Sequence, residues 1–220
     1  IDQQAGTGTS TFNGALNTNT ASGIDLDGAA FALNGAVTTT STGVVTITNA
    51  GALTIAAAAD MTLDGAFTQS GGGAVSTAGD ITTTNDTITF TNAVTLTGTV
   101  ALDTGAGAGA ITFSSTVDAT SAGTETLDLT AGTGNVSFGG AVGGTTRLGD
   151  LTIVSAADVT AVAITASAID QQAGTGTSTF NGALNTNTAA GIDLDGAAFA
   201  LNGAVTTTST GVVTITNAGA

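Results

Sequence analysis

Apolar and polar residues alternate in short segments along the whole chain. The segments that begin at Val45, Thr87 and Leu127 each place an aliphatic or aromatic residue at every second position. A period of two puts the apolar side chains on one face of a strand and Thr or Asp on the other. Thr, Val and Ile favour strands, while Gly and Asn favour turns. The pattern therefore predicts an all-β protein built from many short strands.

A second pattern divides the chain into units. An apolar residue is followed by two small or polar residues, a small residue and another apolar residue. This motif begins at Phe12, Leu33, Leu63, Phe90, Phe113, Phe138 and, more weakly, Val159, and it restarts at Phe180 and Leu201. The units are about 21–30 residues long, and such units with two or three short strands each are typical of the coils of a β-solenoid.

A much longer repeat contains these units. Residues 1–52 recur as residues 169–220, and the only difference is Ser22, which becomes Ala190. We interpret residues 1–168 as one full repeat of about seven coils and residues 169–220 as the start of the next repeat. No independent second domain is expected, and the repeat is expected to continue in a longer array.

These periods predict a parallel β-helix in which equivalent positions stack about 4.8 Å apart. Phe12, Phe90, Phe113, Phe138 and Phe180 are then the expected aromatic core, and one repeat is about 34 Å long. Tandem β-sandwiches are the alternative, since they also consist of short strands and turns. The Asn-Gly pairs at residues 13–14 and 34–35 are typical of hairpins and support that alternative. The regular recurrence of the whole unit favours the solenoid.

Composition excludes several classes of function. The chain has 16 acidic residues and one basic residue, a formal net charge of −15, and neither His nor Cys. Nucleophilic triads need His, and zinc sites need His or Cys. A strongly acidic surface repels nucleic acid. The chain also contains no run of about 18 apolar residues that would predict a transmembrane segment. We therefore expect neither an enzyme nor a nucleic-acid-binding protein.

Two pairs of aspartates form the candidate metal site. Alternation places Asp25 and Asp27, and their copies Asp193 and Asp195, on the outer face of a strand about 7 Å apart. Ca²⁺ prefers six to eight oxygen ligands, so these carboxylates are candidate calcium ligands together with oxygens of adjacent coils. The alternative is a solvated outer face. No other cofactor is expected.

Two further surface features are notable. Arg147 is the only cation, and we expect it to pair with Asp150 or Asp128 across a coil. Outward Thr pairs, such as Thr46 and Thr48, raise the hypothesis of an ice-binding surface. Because the predicted coil lengths vary, the Thr rows are expected to fall out of register, which disfavours that hypothesis.

Residues 109–117, 127–146 and 148–153 resemble the β-strand-repeat regions of giant bacterial surface proteins, the filamentous-haemagglutinin-like and autotransporter-like adhesins. The resemblance implies a right-handed parallel β-helix stalk that is extracellular or displayed on the cell surface. It implies no catalytic residues. It also implies that secretion and anchoring signals lie in other parts of the protein.

The expected function is structural. The chain is predicted to be a segment of a long extracellular bacterial fibre or adhesin stalk that assembles by stacking β-coils on one another. Its expected partner is itself, through coil-to-coil contacts and through lateral bundling by divalent cations. A surface-layer lattice protein is the main alternative, and an ice-binding solenoid is a less favoured one.

Overall fold

The computed structural model describes residues 1–219, and within that range it contains 28 strands and no helix. Successive strands wind into a solenoid of about ten coils, and each coil contributes one strand or short extended segment to each of three faces. Every strand pair in the described range is parallel. The predicted β-solenoid is therefore confirmed, and tandem sandwiches are excluded because their strands pair antiparallel.

Face one is a ten-stranded sheet. Its strands in stacking order are β1 (Asp2–Gln3), β4 (Ile24–Gly28), β7 (Val45–Asn49), β10 (Phe67–Ser70), β13 (Ile88–Phe90), β16 (Ile111–Phe113), β19 (Val136–Phe138), β21 (Val159–Ala161), β23 (Thr177–Phe180) and β26 (Ala198–Leu201).

Face two begins with a six-stranded sheet and continues above it. Its members are β2 (Thr9–Phe12), β5 (Ala30–Leu33), β8 (Leu53–Ile55), β11 (Val75–Thr77), β14 (Val94–Leu96), β17 (Val117–Ala119), the single bridging residue Val142, the first part of β22 (Ile164–Gln171), β24 (Leu184–Thr186) and β27 (Val205–Thr207).

Face three completes each coil. Its members are β3 (Leu16–Thr18), β6 (Val37–Thr39), β9 (Met61–Leu63), β12 (Ile81–Thr83), β15 (Val100–Asp103), β18 (Leu127–Thr130), β20 (Leu148–Ser155), the second part of β22, β25 (Ile192–Gly196) and β28 (Val213–Asn217). Strand β22 turns the corner between faces two and three, so it pairs with both β24 and β25.

The coils are shorter and more even than the sequence motif suggests. Between in-register positions of face one the offset ranges from 19 residues (Val159 to Ser178) to 25 residues (Ile111 to Val136). The motif occurs at different corners, since Leu33 lies on face two, Leu63 on face three and Phe90 on face one. The wider motif spacings therefore span more than one coil, which made the coils appear longer and fewer.

Part of the predicted aromatic core is correct. Phe90, Phe113 and Phe138 stack in register on face one with ring centroids 5.5 and 5.3 Å apart, and Phe67 extends the stack at 5.1 Å. Phe12 is not in this column, because β2 belongs to face two and the side chain is only partly buried.

Phe180 lies in the same column but outside the aromatic stack. It is in register with Ala161, and Ala161 is in register with Phe138. A small side chain therefore separates its ring from the others. Aliphatic side chains from all three faces fill the rest of the interior.

The Asn-Gly pairs form corners rather than hairpins. The Asn34 side-chain amide donates to Asn13 Oδ1 on the preceding coil at 2.8 Å. A Cβ added to Gly35 would lie 2.6 Å from the backbone of Gly14, so the corner requires glycine because neighbouring coils approach so closely. The same dipeptides that suggest a hairpin are thus used to pack one coil against the next.

The two copies of the repeated sequence occupy different faces. Strand β1 lies on face one of the first coil, and its copy, residues 169–171 of β22, lies on face three of the eighth coil. The repeat therefore spans seven and two-thirds coils rather than seven. At ~4.8 Å per coil its length is about 37 Å rather than the expected 34 Å.

The aromatic stack provides a test of the core. Replacing Phe113, which is fully buried between two rings, by Ala is expected to destabilise the protein by about 3–5 kcal/mol through lost burial and a residual cavity. Phe12→Ala is the matched control and is expected to cost less, because Phe12 lies partly exposed in the first coil. Urea unfolding curves followed by circular dichroism measure both. Equal losses would contradict the assigned columns.

Candidate self-association site and outer faces

The last coil, formed by β26, β27 and β28, exposes apolar side chains that are buried where the same sequence occurs earlier. The exposed fractions are 37% for Val205, 44% for Val213 and 43% for Ile215, against 1%, 1% and 0% for Val37, Val45 and Ile47. The two sets have the same sequence and the same strand pairing below them. The difference comes from the next coil, which covers only the earlier copy.

The earlier copy shows which kind of partner fits this end. Strands β8, β9 and β10 cover β5, β6 and β7, with Leu53 in register with Phe31 and Phe67 in register with Val45. Completing the burial of each exposed Val or Ile is worth about 1 kcal/mol. The outer edges of the three strands also present unpaired backbone N–H and C=O groups. This end is thus a template for another β-coil.

The first coil, formed by β1, β2 and β3, is an apolar end of the same kind. Ile1 is 47% exposed, whereas its copy Ile169 is 1% exposed because it lies on β20. Leu16 is half-buried in the first coil, and its copy Leu184 is 1% exposed. Both ends of the described solenoid therefore expose a core cross-section, and sequence reasoning expected these open edges from the repeat.

Arg147 does not form the predicted ion pair with Asp150 or Asp128. Its guanidinium donates to the carbonyl oxygens of Ala166 and Asn185 and to Asn185 Oδ1. These acceptors lie 19 and 38 residues further along the chain, so their proximity depends on the coil length. The contacts join the last coils of one repeat to the first coils of the next.

Several carboxylates bind backbone rather than facing solvent alone. Asp80 Oδ1 accepts a hydrogen bond from the Ala101 backbone N–H at 2.8 Å, on the next coil. Asp118 Oδ1 accepts from the backbone N–H groups of Thr145 and Thr146. Equivalent contacts between neighbouring coils involve Asp60, Asp64 and Asp158. Part of the acidity therefore satisfies backbone donors at the corners, which sequence reasoning did not identify.

The candidate calcium ligands lie on outward positions of one strand in each copy. Asp25 is exposed and is in register with Asp2 and Thr46, and Asp27 is half-buried. In the second copy the corresponding strand is β25, where one oxygen of Asp195 is buried without a hydrogen-bond partner in the described structure. Residues 1–219 contain no group of three or more His, Cys, Asp or Glu placed to hold a metal ion. A calcium ion at Asp25, or at its copy Asp193, would thus need hydroxyl, backbone or water ligands as well.

One row of outward hydroxyls stays in register, contrary to expectation. It lies on face one and crosses seven coils. Its members are Thr46, Thr68, Thr89, Thr112, Ser137, Thr160 and Thr179. Because the turns absorb the differences in coil length, the strands remain aligned. The corresponding rows of the other faces are interrupted, for example by Asp118 above Thr95 and by Asp103 above Thr82.

Two observations complete the description of the chain. No helix in the described residues has the length and apolarity needed to cross a membrane. Comparison with protein-family models, curated proteins and solved structures finds no match to this chain.

The Arg147 contacts give the second prediction. Arg147→Met removes the hydrogen bonds but keeps much of the apolar stem, and it is expected to destabilise the coils after residue 147 by about 1–3 kcal/mol. Hydrogen exchange at β22 and β24 measures this directly. Asp150→Asn is the control and is expected to leave exchange unchanged, because the guanidinium binds elsewhere. An equal effect of both changes would restore the ion pair as the relevant contact.

Proposed function

We propose that this protein is a structural segment of a long extracellular fibre that assembles by stacking β-coils. The observation that supports the proposal is the pair of identical sequences in different surroundings. The coil that is exposed at residues 198–217 is buried under another coil at residues 30–49. The chain thus contains its own example of how such an end is covered.

Two interactions hold such a fibre together. Parallel backbone hydrogen bonds join each strand to the strands above and below it, and a continuous apolar interior runs along the axis. Each coil contacts only its neighbours, so stability grows with the number of coils and length is set by the number of repeats. The chemistry needed is backbone pairing and burial, which agrees with a sequence that lacks His, Cys and Lys.

Placement on a bacterial surface, as a stalk or adhesin segment, follows from the resemblance to giant surface proteins and remains part of the proposal. Those proteins are built for reach, and a solenoid supplies reach at ~4.8 Å per coil. A surface-layer protein would use the same composition but would form a two-dimensional lattice. Electron microscopy of assembled material separates the two, since a fibre extends in one direction only.

The end contacts give the third prediction. Replacing Val213 and Ile215 by Lys puts two charges into the exposed apolar end and is expected to abolish end-to-end association. Thr214→Lys adds a charge to the same strand on its solvent side and serves as the control. We expect the control to associate and the double variant to remain monomeric in light scattering at matched concentration.

Two results would overturn this part of the proposal. One is an unmodified protein that stays strictly monomeric over the whole concentration range. The other is association that survives the double substitution, because association would then use a different surface. Circular dichroism of the double variant verifies that the first nine coils remain folded.

Lateral contacts are expected to depend on cations. Residues 1–168 carry 13 acidic residues and one Arg, a charge of −12 for each ~37 Å of length. Fibres of this charge repel one another at low salt. We propose that divalent cations bridge carboxylates such as Asp25 on adjacent fibres.

The fourth prediction follows from this charge. Addition of Ca²⁺ is expected to thicken fibre bundles, and chelator is expected to disperse them, as measured by turbidity and electron microscopy. A variant with Asn at Asp25, Asp27, Asp193 and Asp195 should need more Ca²⁺ for the same bundling. Bundling that ignores both chelator and salt would contradict a role for cations.

The hydroxyl row on face one favours a second candidate function. Seven outward hydroxyls in register, about 4.8 Å apart, offer a regular surface for ordered water. The fifth prediction is that an ice-binding role produces thermal hysteresis that is lost in Thr112→Lys, at the middle of the row, and kept in Thr95→Lys on face two. Absence of thermal hysteresis in the unmodified protein would leave the structural role alone.

A further inference from the structure

We propose that consecutive copies of the 168-residue repeat are rotated about the fibre axis by one third of a turn, so that an array shows every outer surface in three directions. The inference rests on the proposed function as a fibre, because it describes how copies follow one another in an array. It concerns the orientation of the repeats, which the stacking of coils by itself does not specify.

Three independent sets of strands show the same rotation. The copy of β1 moves from face one to face three, where residues 169–171 lie on β20. The copy of β2 is β23, which moves from face two to face one and lies on β21. The copy of β3 is β24, which moves from face three to face two and lies on the first part of β22. Each displacement equals seven and two-thirds coils.

The rotation has a simple physical cause. Pairing within a copy is unchanged, since Asp2 pairs with Asp25 and Asp170 pairs with Asp193, both 23 residues apart. The face on which a copy starts is decided by the corner that the preceding chain has just turned. Here β22 turns from face two onto face three, and the new copy begins there. The repeat length is therefore not a whole number of coils.

The array that follows has a threefold screw. Three repeats contain 504 residues (three times 168) and close 23 coils (three times seven and two-thirds), which is about 110 Å of fibre. The strand that carries Asp25 points to a different side in each of three successive repeats. A partner that binds one outer face, including a second copy of this chain lying alongside, meets the same surface on three sides.

This symmetry has consequences for lateral assembly. A repeat with a whole number of coils would align each surface along one side of the fibre and favour pairs or sheets. A repeat displaced by a third of a turn distributes each surface evenly around the axis. Lateral contacts between identical surfaces then extend in three directions, which favours a bundle over a flat lattice.

Spin labels in this chain test the rotation without any need for assembly. The sequence has no Cys, so introduced Cys residues are the only labelling sites. Thr152 and Asp193 lie in one column two coils apart, about 10 Å, whereas Thr160 lies on face one. The reference pair is Asp25 and Thr68, which are also two coils apart in one column.

The expected result is strong dipolar coupling for Asp193→Cys with Thr152→Cys, similar to the reference pair, and weaker coupling with Thr160→Cys. The reverse order would overturn the rotation. A second pair, Thr160→Cys with Thr179→Cys, is expected to couple strongly because the two positions are in register on neighbouring strands. All these side chains point outward, and circular dichroism verifies the fold of each labelled protein.

Helical reconstruction of assembled fibres separates this inference from the proposed function. Continuous repeats are expected to follow a rotation near 120° for each rise of about 37 Å. Fibres whose repeats are aligned without rotation would overturn the inference and leave the fibre function standing. Strong coupling in the predicted label pairs without any fibre would uphold the rotation within the chain and overturn the fibre function.

Discussion

Parallel pairing between successive coils is the interaction on which the rest of this structure depends. Each strand of three to five residues is too short to be stable alone, and in the interior of the solenoid it is paired on both sides. Pairing in register also aligns the side chains, so that Phe90, Phe113 and Phe138 stack inside while Thr89 and Thr112 align outside. The core and the surface rows are both products of one backbone arrangement.

The turns make this arrangement tolerant of variation in coil length. Coils differ by up to six residues on face one, yet their strands remain aligned. The corners are held by side chains that bind the neighbouring coil, as Asp80 binds the Ala101 N–H and Asn34 binds Asn13. An acidic, Asn-rich sequence is thus partly a requirement of corners, which leave backbone donors that need acceptors.

The same pairing also determines what happens at the ends. A coil that lacks a neighbour exposes both its apolar cross-section and its backbone edges, as the comparison of Val45 with Val213 shows. A second copy of the sequence in the chain separates the intrinsic properties of a coil from the effect of its position. Burial at these positions belongs to the stack and not to the individual strand, which is why assembly is the function that the geometry supports best.

The sequence by itself determined the class of structure and its repeats. Alternation in segments such as residues 45–48 predicted strands, and the identity of residues 1–52 with 169–220 predicted a repeating architecture. Only the tertiary structure decided which positions share a column. The motif at Phe12, Leu63 and Phe90 marks corners of different faces, and the acceptors of Arg147 lie one and two coils away. The physical reason is that a local pattern records which side of a strand is buried, whereas columns and the rotation between copies depend on the summed lengths of all the turns between them.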